Sequence, residues 1–252
     1  MAGMLLKGDV QIARLSSSLA FEGYNDVVNG TELTITPQSQ EIERLSNMRE
    51  SWGQTLDSAY KPQPTQIQLG VNDVPPYILG MTFLGDVTAI NQTGDAVTDE
   101  VHTVSAATQD KWIQLDNQNI VAAGFAVTNT AGDTTYVAGT DYEVNVRLGL
   151  LKVLSTGSIA VGDIHVDYTK AVITGTRVQG GLQPTIYARI LMDGYNIYTG
   201  EHGLLTVWRA SLTPTSPINF FAAEPITAVF QGKIIVPPNK AEGFTFEVYD
   251  AA

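Results

Sequence analysis

A chain of 252 residues, 44% of them hydrophobic, is long enough to build one large all-β domain or two modest ones with real cores. Fourteen Lys and Arg against 26 Asp and Glu give a net charge of -12, which excludes a surface that grips nucleic acid or seeks an anionic membrane, so any contact with DNA is passive. The chain contains no Cys, which excludes disulfides, thiolate nucleophiles and thiolate metal sites.

The amino terminus, MAGMLLKGDVQIAR, is apolar for only a few residues before Lys7 and Asp9. No run approaches a membrane span or a signal-peptide core, so a soluble product made in the cytoplasm, or a soluble precursor of an assembly, is expected. Residues 7–30 mix Ser, Asn and Gly with scattered apolar positions and read, with the residues before them, as an irregular arm over 1–30 that orders when something packs on it. Deleting that arm is expected to leave a monomer largely intact. Glu32 to Thr36 alternates as a strand, and Glu41 to Met48 is read as its partner in preference to a helix start. Pro62 and Pro64 lack backbone donors and mark an extended entry to a strand over Thr65 to Val71. Pro75 to Leu84 reads as a short helix covering the sheet, with Ile78, Leu79, Phe83 and Leu84 as its apolar face and Gly85 as its end.

From Asp86 the texture changes. The segment through Gly175 holds eleven Asp and Glu against four Lys and Arg, a net of -7, leaving -5 for the rest of the chain. Short strand signals run through VHTVSA, KWIQL and VAAGFAVTNTAG. Between Tyr136 and Lys170 the alternation at Tyr142, Val144, Val146 and at Ile164, Val166, Tyr168 is punctuated by Gly139, Gly149, Gly157 and Gly162. These spacings predict short antiparallel strands and an inserted β-sandwich over 86–176. The flanking segments, 31–85 and 177–252, then form one discontinuous domain. In its second half Ile186, Ala188 and Ile190 alternate, Leu205, Val207 and Trp208 are strand formers, Pro217 permits one helical turn at PINFFA, and ITAVFQGKIIVPP and GFTFEVYD close the chain as strands. Leu79, Phe83, Leu84, Ile186, Ile190 and Val207 are the core candidates of this domain.

No catalytic set emerges. His102, His165 and His202 lie far apart, without a second His at metal-ligand spacing. Asp163, His165 and Asp167 share a strand face, which a solvated surface explains more economically than a metal. Gly180-Gly181 lacks a following Gly-Lys-Ser or Gly-Lys-Thr, and basic residues are not interleaved with aromatics. Trp112, Phe125, Tyr136 and Tyr142 are the aromatics a ligand would use in the inserted module, with core packing the simpler reading. The expectation is a protein that is not an enzyme, with no cofactor and no metal, whose long strands invite association with copies of itself.

RVQGGLQPTIYARILMDGYNIYTGEHGLLTVWRASLTPTSPINFF, residues Arg177 to Phe221, with FQGKIIVPPNKAEGFTFEVY after it, resembles the carboxy-terminal half of the major tail tube proteins of tailed bacteriophages. SWGQTLDSAYKPQPTQIQLGVNDVPPYILGMTFLG, Ser51 to Gly85, is similar to the amino-terminal counterpart, and Tyr136 to Thr169 resembles an insertion domain carried by some members. The resemblance implies a mainly β fold: a tail-tube β-barrel or sandwich domain with a short flanking helix and an inserted Ig-like β-sandwich on the tube exterior. It also implies hexameric rings, stacked by loops and the amino-terminal arm into a helical tube, with a continuous β-barrel around a lumen that conducts genomic DNA during ejection. Sheath, tail terminator and baseplate proteins are the implied partners, DNA contact in the lumen is passive and not sequence-specific, no membrane binding is implied, and the virion tail is the implied location. Glu32, Glu41, Glu43 and Asp73 are the candidate lumen acids. The competing reading is a tail fibre or surface-binding β-sandwich adhesin.

Overall fold

The structure, a computed structural model, describes residues 3–249; the outer ends of the expected arm and tube domain, 1–2 and 250–252, lie outside the described residues. In chain order the elements are β1 (Leu6–Arg14), β2 (Gly30–Leu45), β3 (Thr55–Val71), α1 (Pro76–Thr82), β4 (Asp86–Gln92), β5 (Asp95–Val104), β6 (Trp112–Gln114) and β7 (Ile120–Asn129). They continue as β8 (Tyr142–Asn145), β9 (Leu150–Val153), β10 (Gly162–Lys170), β11 (Ile173–Gln179), β12 (Ile186–Asn196), β13 (His202–Pro214), β14 (Ala228–Ile234) and β15 (Phe244–Tyr249). The chain forms two compact units, one of Met1–Thr88 with Val178–Ala252 and one of Ala89–Arg177. β4 and β11 pair as a two-stranded sheet where the chain leaves the first unit and returns to it.

The first unit is one seven-stranded antiparallel sheet in the order β1-β12-β13-β14-β3-β2, with β15 added to β13. Period-two alternation and register together give the sheet one apolar face. Ile186 opposes Leu212, Ala188 opposes Ala210, and Ile190 opposes Val207; Phe230 opposes Leu69 and Gly232 opposes Ile67. All of the apolar side chains in these pairs are buried. Helix α1 places Ile78 and Met81 in this core, while Leu79 and Phe83 are only half-buried and Leu84 packs at the core's margin. The helix ends at Thr82. Leu84 takes the left-handed conformation, φ 51°, that a glycine would take more readily, because its side chain is held against the core. Gly85 is required for a different reason: a Cβ there would sit 1.7 Å from the carbonyl oxygen of Gln179.

Several expectations are overturned. Among the described residues no sheet closes into a barrel: the seven-stranded sheet runs from β1 to β2, and these two terminal strands do not pair with each other, the last-to-first pairing that closure demands. Residues 6–14 are not irregular, because β1 pairs with β12 from Leu6 to Arg14. Val10, Ile12 and Val28 are buried in the core, so deletion of residues 1–30 removes part of the fold and is no clean test of assembly. β2 is one continuous strand of 16 residues and β3 one of 17, with Pro62 and Pro64 inside β3. They are tolerated because β14 pairs with β3 only between Gln66 and Val71, which leaves that edge free at both prolines, and because Pro64 falls at the register shift between Thr36 and Gln38 of the partner strand. The PINFFA segment forms no helix, and Phe220 and Phe221 are exposed.

The second unit packs two three-stranded open sheets, β5-β10-β7 and β6-β9-β8, around one core. With three strands in each it lacks the seven strands of an immunoglobulin domain. Phe125 and Tyr136 pack against this core and Tyr142 lies within it, so of the four aromatics considered for ligand binding only Trp112 is largely exposed, with Lys152 Nζ 5.9 Å from its ring centre.

Candidate assembly surface

The face of the first unit's sheet opposite its core is built from amides and hydroxyls. On β2 the odd positions Leu33 and Ile35 pack on the core, so the even positions Glu32, Thr34, Thr36, Gln38 and Gln40 point away from it. Their neighbours on β3 are Gln68, Gln66 and Gln63. Across β14 the same face continues with Gln231 and Lys233, and on β13 with Thr213 and Ser211. Side-chain bonds link three strands: Gln231 Nε2 donates to Gln68 Oε1 at 2.8 Å, and Gln68 Nε2 donates to Glu32 Oε2 at 2.8 Å. Gln63 donates to Gln40 and Gln66 to Gln38 on the outer strands. The face is hollowed by a shallow trough of about 340 Å³ between Thr34, Gln66, Gln68, Thr213 and Gln231.

This arrangement assigns the four candidate acids different places. Glu32 lies on the amide face. Glu41 and Glu43 sit at odd positions and project from the opposite side, where Tyr60 Oη donates to Glu41 Oε1 at 2.9 Å and Thr55 Oγ1 donates to Glu43 at 3.3 Å. Asp73 lies beyond the end of β3 and is exposed. Lys61, opposite Gln40, and Lys233, opposite Gln66, accompany Glu32 on the amide face, so this stretch sets two cations and one acid among a majority of uncharged amides and hydroxyls. The sequence signal for the face was the run of Gln and Thr at alternate positions, which a search for carboxylates passes over.

Beyond Thr36 and Gln66 the β2–β3 pair continues as a free two-stranded ribbon, because β14 reaches no further along β3. Such a ribbon is marginally stable by itself in water. This one carries large apolar side chains in solvent, with Ile42 53%, Trp52 74% and Tyr60 66% exposed. A bidentate contact of Arg44 with Asp57, closest at 2.8 Å, ties its strands near the tip, although both side chains are well exposed and the pair contributes little.

Among the described residues no group of three or more His, Asp or Glu is arranged to hold a metal ion. His102 Nε2 lies 2.7 Å from Glu100 Oε1, His165 Nδ1 lies 3.3 Å from Asp99 Oδ1, and His202 stacks on Tyr249. Asp163 accepts from Thr103, and Asp167 from the Asp99 N–H. The most interlinked polar group belongs to the second unit. Burial pushes the Glu100 carboxyl up, but hydrogen bonds from Tyr168 Oη, the Asp116 N–H and His102 outweigh it and hold the group below its ordinary value. Burial and the bond to Glu100 push the Tyr168 phenol up to about 12. A carboxyl whose value is depressed on folding contributes stability above its unfolded value, about 4.3, and loses it as the pH falls through the folded value. Tyr168→Phe is therefore expected to cost about 1.5–3 kcal/mol at neutral pH. The gap between the native and Y168F proteins in urea unfolding should narrow from pH 6 to pH 3; a gap that does not change with pH would refute this account.

A family model described as Protein of unknown function UCP028589 matches residues 4–246. No curated protein matches the chain.

Proposed function

Because the chain belongs to the family described as Protein of unknown function UCP028589, a description that assigns no activity, we propose from its own residues that it is the structural subunit of a bacteriophage tail tube. Copies would form stacked hexameric rings whose lumen conducts genomic DNA, built in the host bacterial cytoplasm and carried in the virion tail, with sheath, terminator and baseplate proteins as partners. The role is structural and not catalytic.

The observation that carries this reading is the sheet's amide-and-hydroxyl face. A passage for a polyanion must be wetted without holding phosphate, and a cationic wall would bind it through counterion release. Gln63, Gln66, Gln68 and Gln231, with Thr34, Thr36 and Thr213, supply hydrogen-bonding groups that carry no charge. Two further features support it. Among the described residues the outer edge of β2 has no strand partner, whereas that of β1 is partly covered by residues 25–28 through Val28 and Asn25, and an unpaired edge is where another subunit adds. The free β2–β3 ribbon offers exposed apolar side chains, Ile42, Trp52 and Tyr60, that a neighbouring copy would cover. The resemblance of Arg177 to Phe221 and Ser51 to Gly85 to tail tube proteins points the same way.

Negative-stain imaging of the purified protein across a concentration series tests the proposal. Six-fold rings or tubes with an open channel, increasing with concentration, are expected. A protein that stays a single copy at high concentration, even with tail-initiation proteins added, would rule it out.

A further inference from the structure

Farther along the amide-bearing side of the sheet, the register between β12 and β13 slips by one residue. Ala188 faces Ala210 while Ile190 faces Val207, so Trp208 and Arg209 both lie opposite Arg189. A bulge of this kind re-aims side chains, and here Arg189 and Lys240 lie over one indole while Arg209 lines the same recess. The Arg189 guanidinium carbon is 4.6 Å from the Trp208 ring centre and 4.4 Å from that of Phe21, and Lys240 Nζ is 3.8 Å from the Trp208 ring centre. Leu15, Leu19 and Pro237 complete the walls of a recess of about 340 Å³.

Two observations mark this recess as a binding site. Among the described residues, none of the three cations is ion-paired with a carboxylate, although the chain carries 26 acids against 14 Lys and Arg. Arg189 Nε, Arg209 Nε and Trp208 Nε1 are also buried donors that meet no acceptor among the described residues, and buried donors are ordinarily bonded.

We propose that Arg189, Arg209, Lys240 and Trp208 form a carboxylate site that receives an acidic side chain from a second copy of the chain, an inference that rests on the self-assembly proposed above. A guanidinium fork matches a carboxylate through two parallel N–H···O bonds. The indole N–H adds a neutral donor, and the apolar walls limit competition from water. Charge favours a second copy as the source. Every copy exposes acids in surplus over cations, and pairing one of them with this cation cluster offsets part of the repulsion that a net charge of -12 sets up between copies.

Sedimentation velocity across a concentration series, on the native protein and on the Arg209→Gln/Lys240→Gln protein, tests the site. Thermal unfolding checks that the variant is folded. The variant should need at least tenfold more protein to assemble. Millimolar succinate should shift the native protein in the same direction and leave the variant unmoved; this competition needs no variant to fold. Assembly of the folded variant at the native concentration, with no effect of succinate on the native protein, overturns the inference while leaving the tube reading intact. If neither protein assembles, the tube reading falls; calorimetric binding of succinate to the native protein alone would then show a site for free carboxylates and overturn the second copy as its source. Tighter binding of a short DNA duplex than of succinate, lost in the variant, would overturn it as well.

Discussion

If the chain assembles as proposed, replacing Ile42, Trp52, Leu56 and Tyr60 together by Ser is expected to abolish ring and tube formation while leaving the unfolding transition of the isolated chain nearly unchanged. All four side chains are at least 48% exposed, and substitutions at exposed positions usually shift stability by no more than about 0.5 kcal/mol. Assembly reads them differently. A side chain of this size gains about 1.5–3 kcal/mol when it passes from water to a buried contact. If a neighbouring ring covers the ribbon, even ~2 kcal/mol lost from the whole set raises the concentration needed for assembly roughly 30-fold. Sedimentation velocity and negative-stain imaging, beside a urea unfolding curve, separate the two effects. Unaltered tubes from the fourfold variant would show that the ribbon does not carry the contact, and a collapsed urea midpoint would show that it belongs to the core.

The second large effect concerns the fold itself. Phe230 is completely buried at the centre of β14, paired with Leu69 on one side and Pro214 on the other. Phe230→Ala is expected to cost about 3–5 kcal/mol, the removed transfer energy plus the cavity left behind, which is a large share of the 5–15 kcal/mol that holds an ordinary domain together. Phe221, nine residues earlier in the sequence, is 96% exposed and serves as the control. Phe221→Ala should shift the urea midpoint by no more than a surface substitution does. Equal effects of the two changes would mean that the sheet's apolar face is not where the register puts it.

Much of this architecture can be read from alternation alone. Ile186, Ile190 and Val207 announce themselves as core by their spacing, and the rise in Asp, Gly, Ser and Thr after Asp86 announces a separately folded insertion. The places where reading fails have physical causes. Splitting β2 at Pro37 hides the parity that relates Glu32 to Glu41. Along one continuous strand they are nine residues apart and must face opposite ways, so they cannot line one wall. Pro62 and Pro64 look like a strand boundary until the free edge of β3 is known. α1 buries the expected Ile78 together with Met81, which lies outside the expected face, and leaves Leu79 and Phe83 half-buried, because a helix of seven residues is too short for its periodicity to select one rotation. The gathering of Arg189, Trp208 and Arg209 depends on a bulge, and a bulge leaves no mark in hydrophobic pattern.

The amide-and-hydroxyl face also settles how its charge responds to acidity. Glutamine and threonine neither gain nor lose protons in water. Gln63, Gln66, Gln68 and Gln231, with Thr34, Thr36 and Thr213, therefore add no proton-dependent charge to it. The hydrogen-bonding character that these seven side chains give the surface is thus the same in acid as in base.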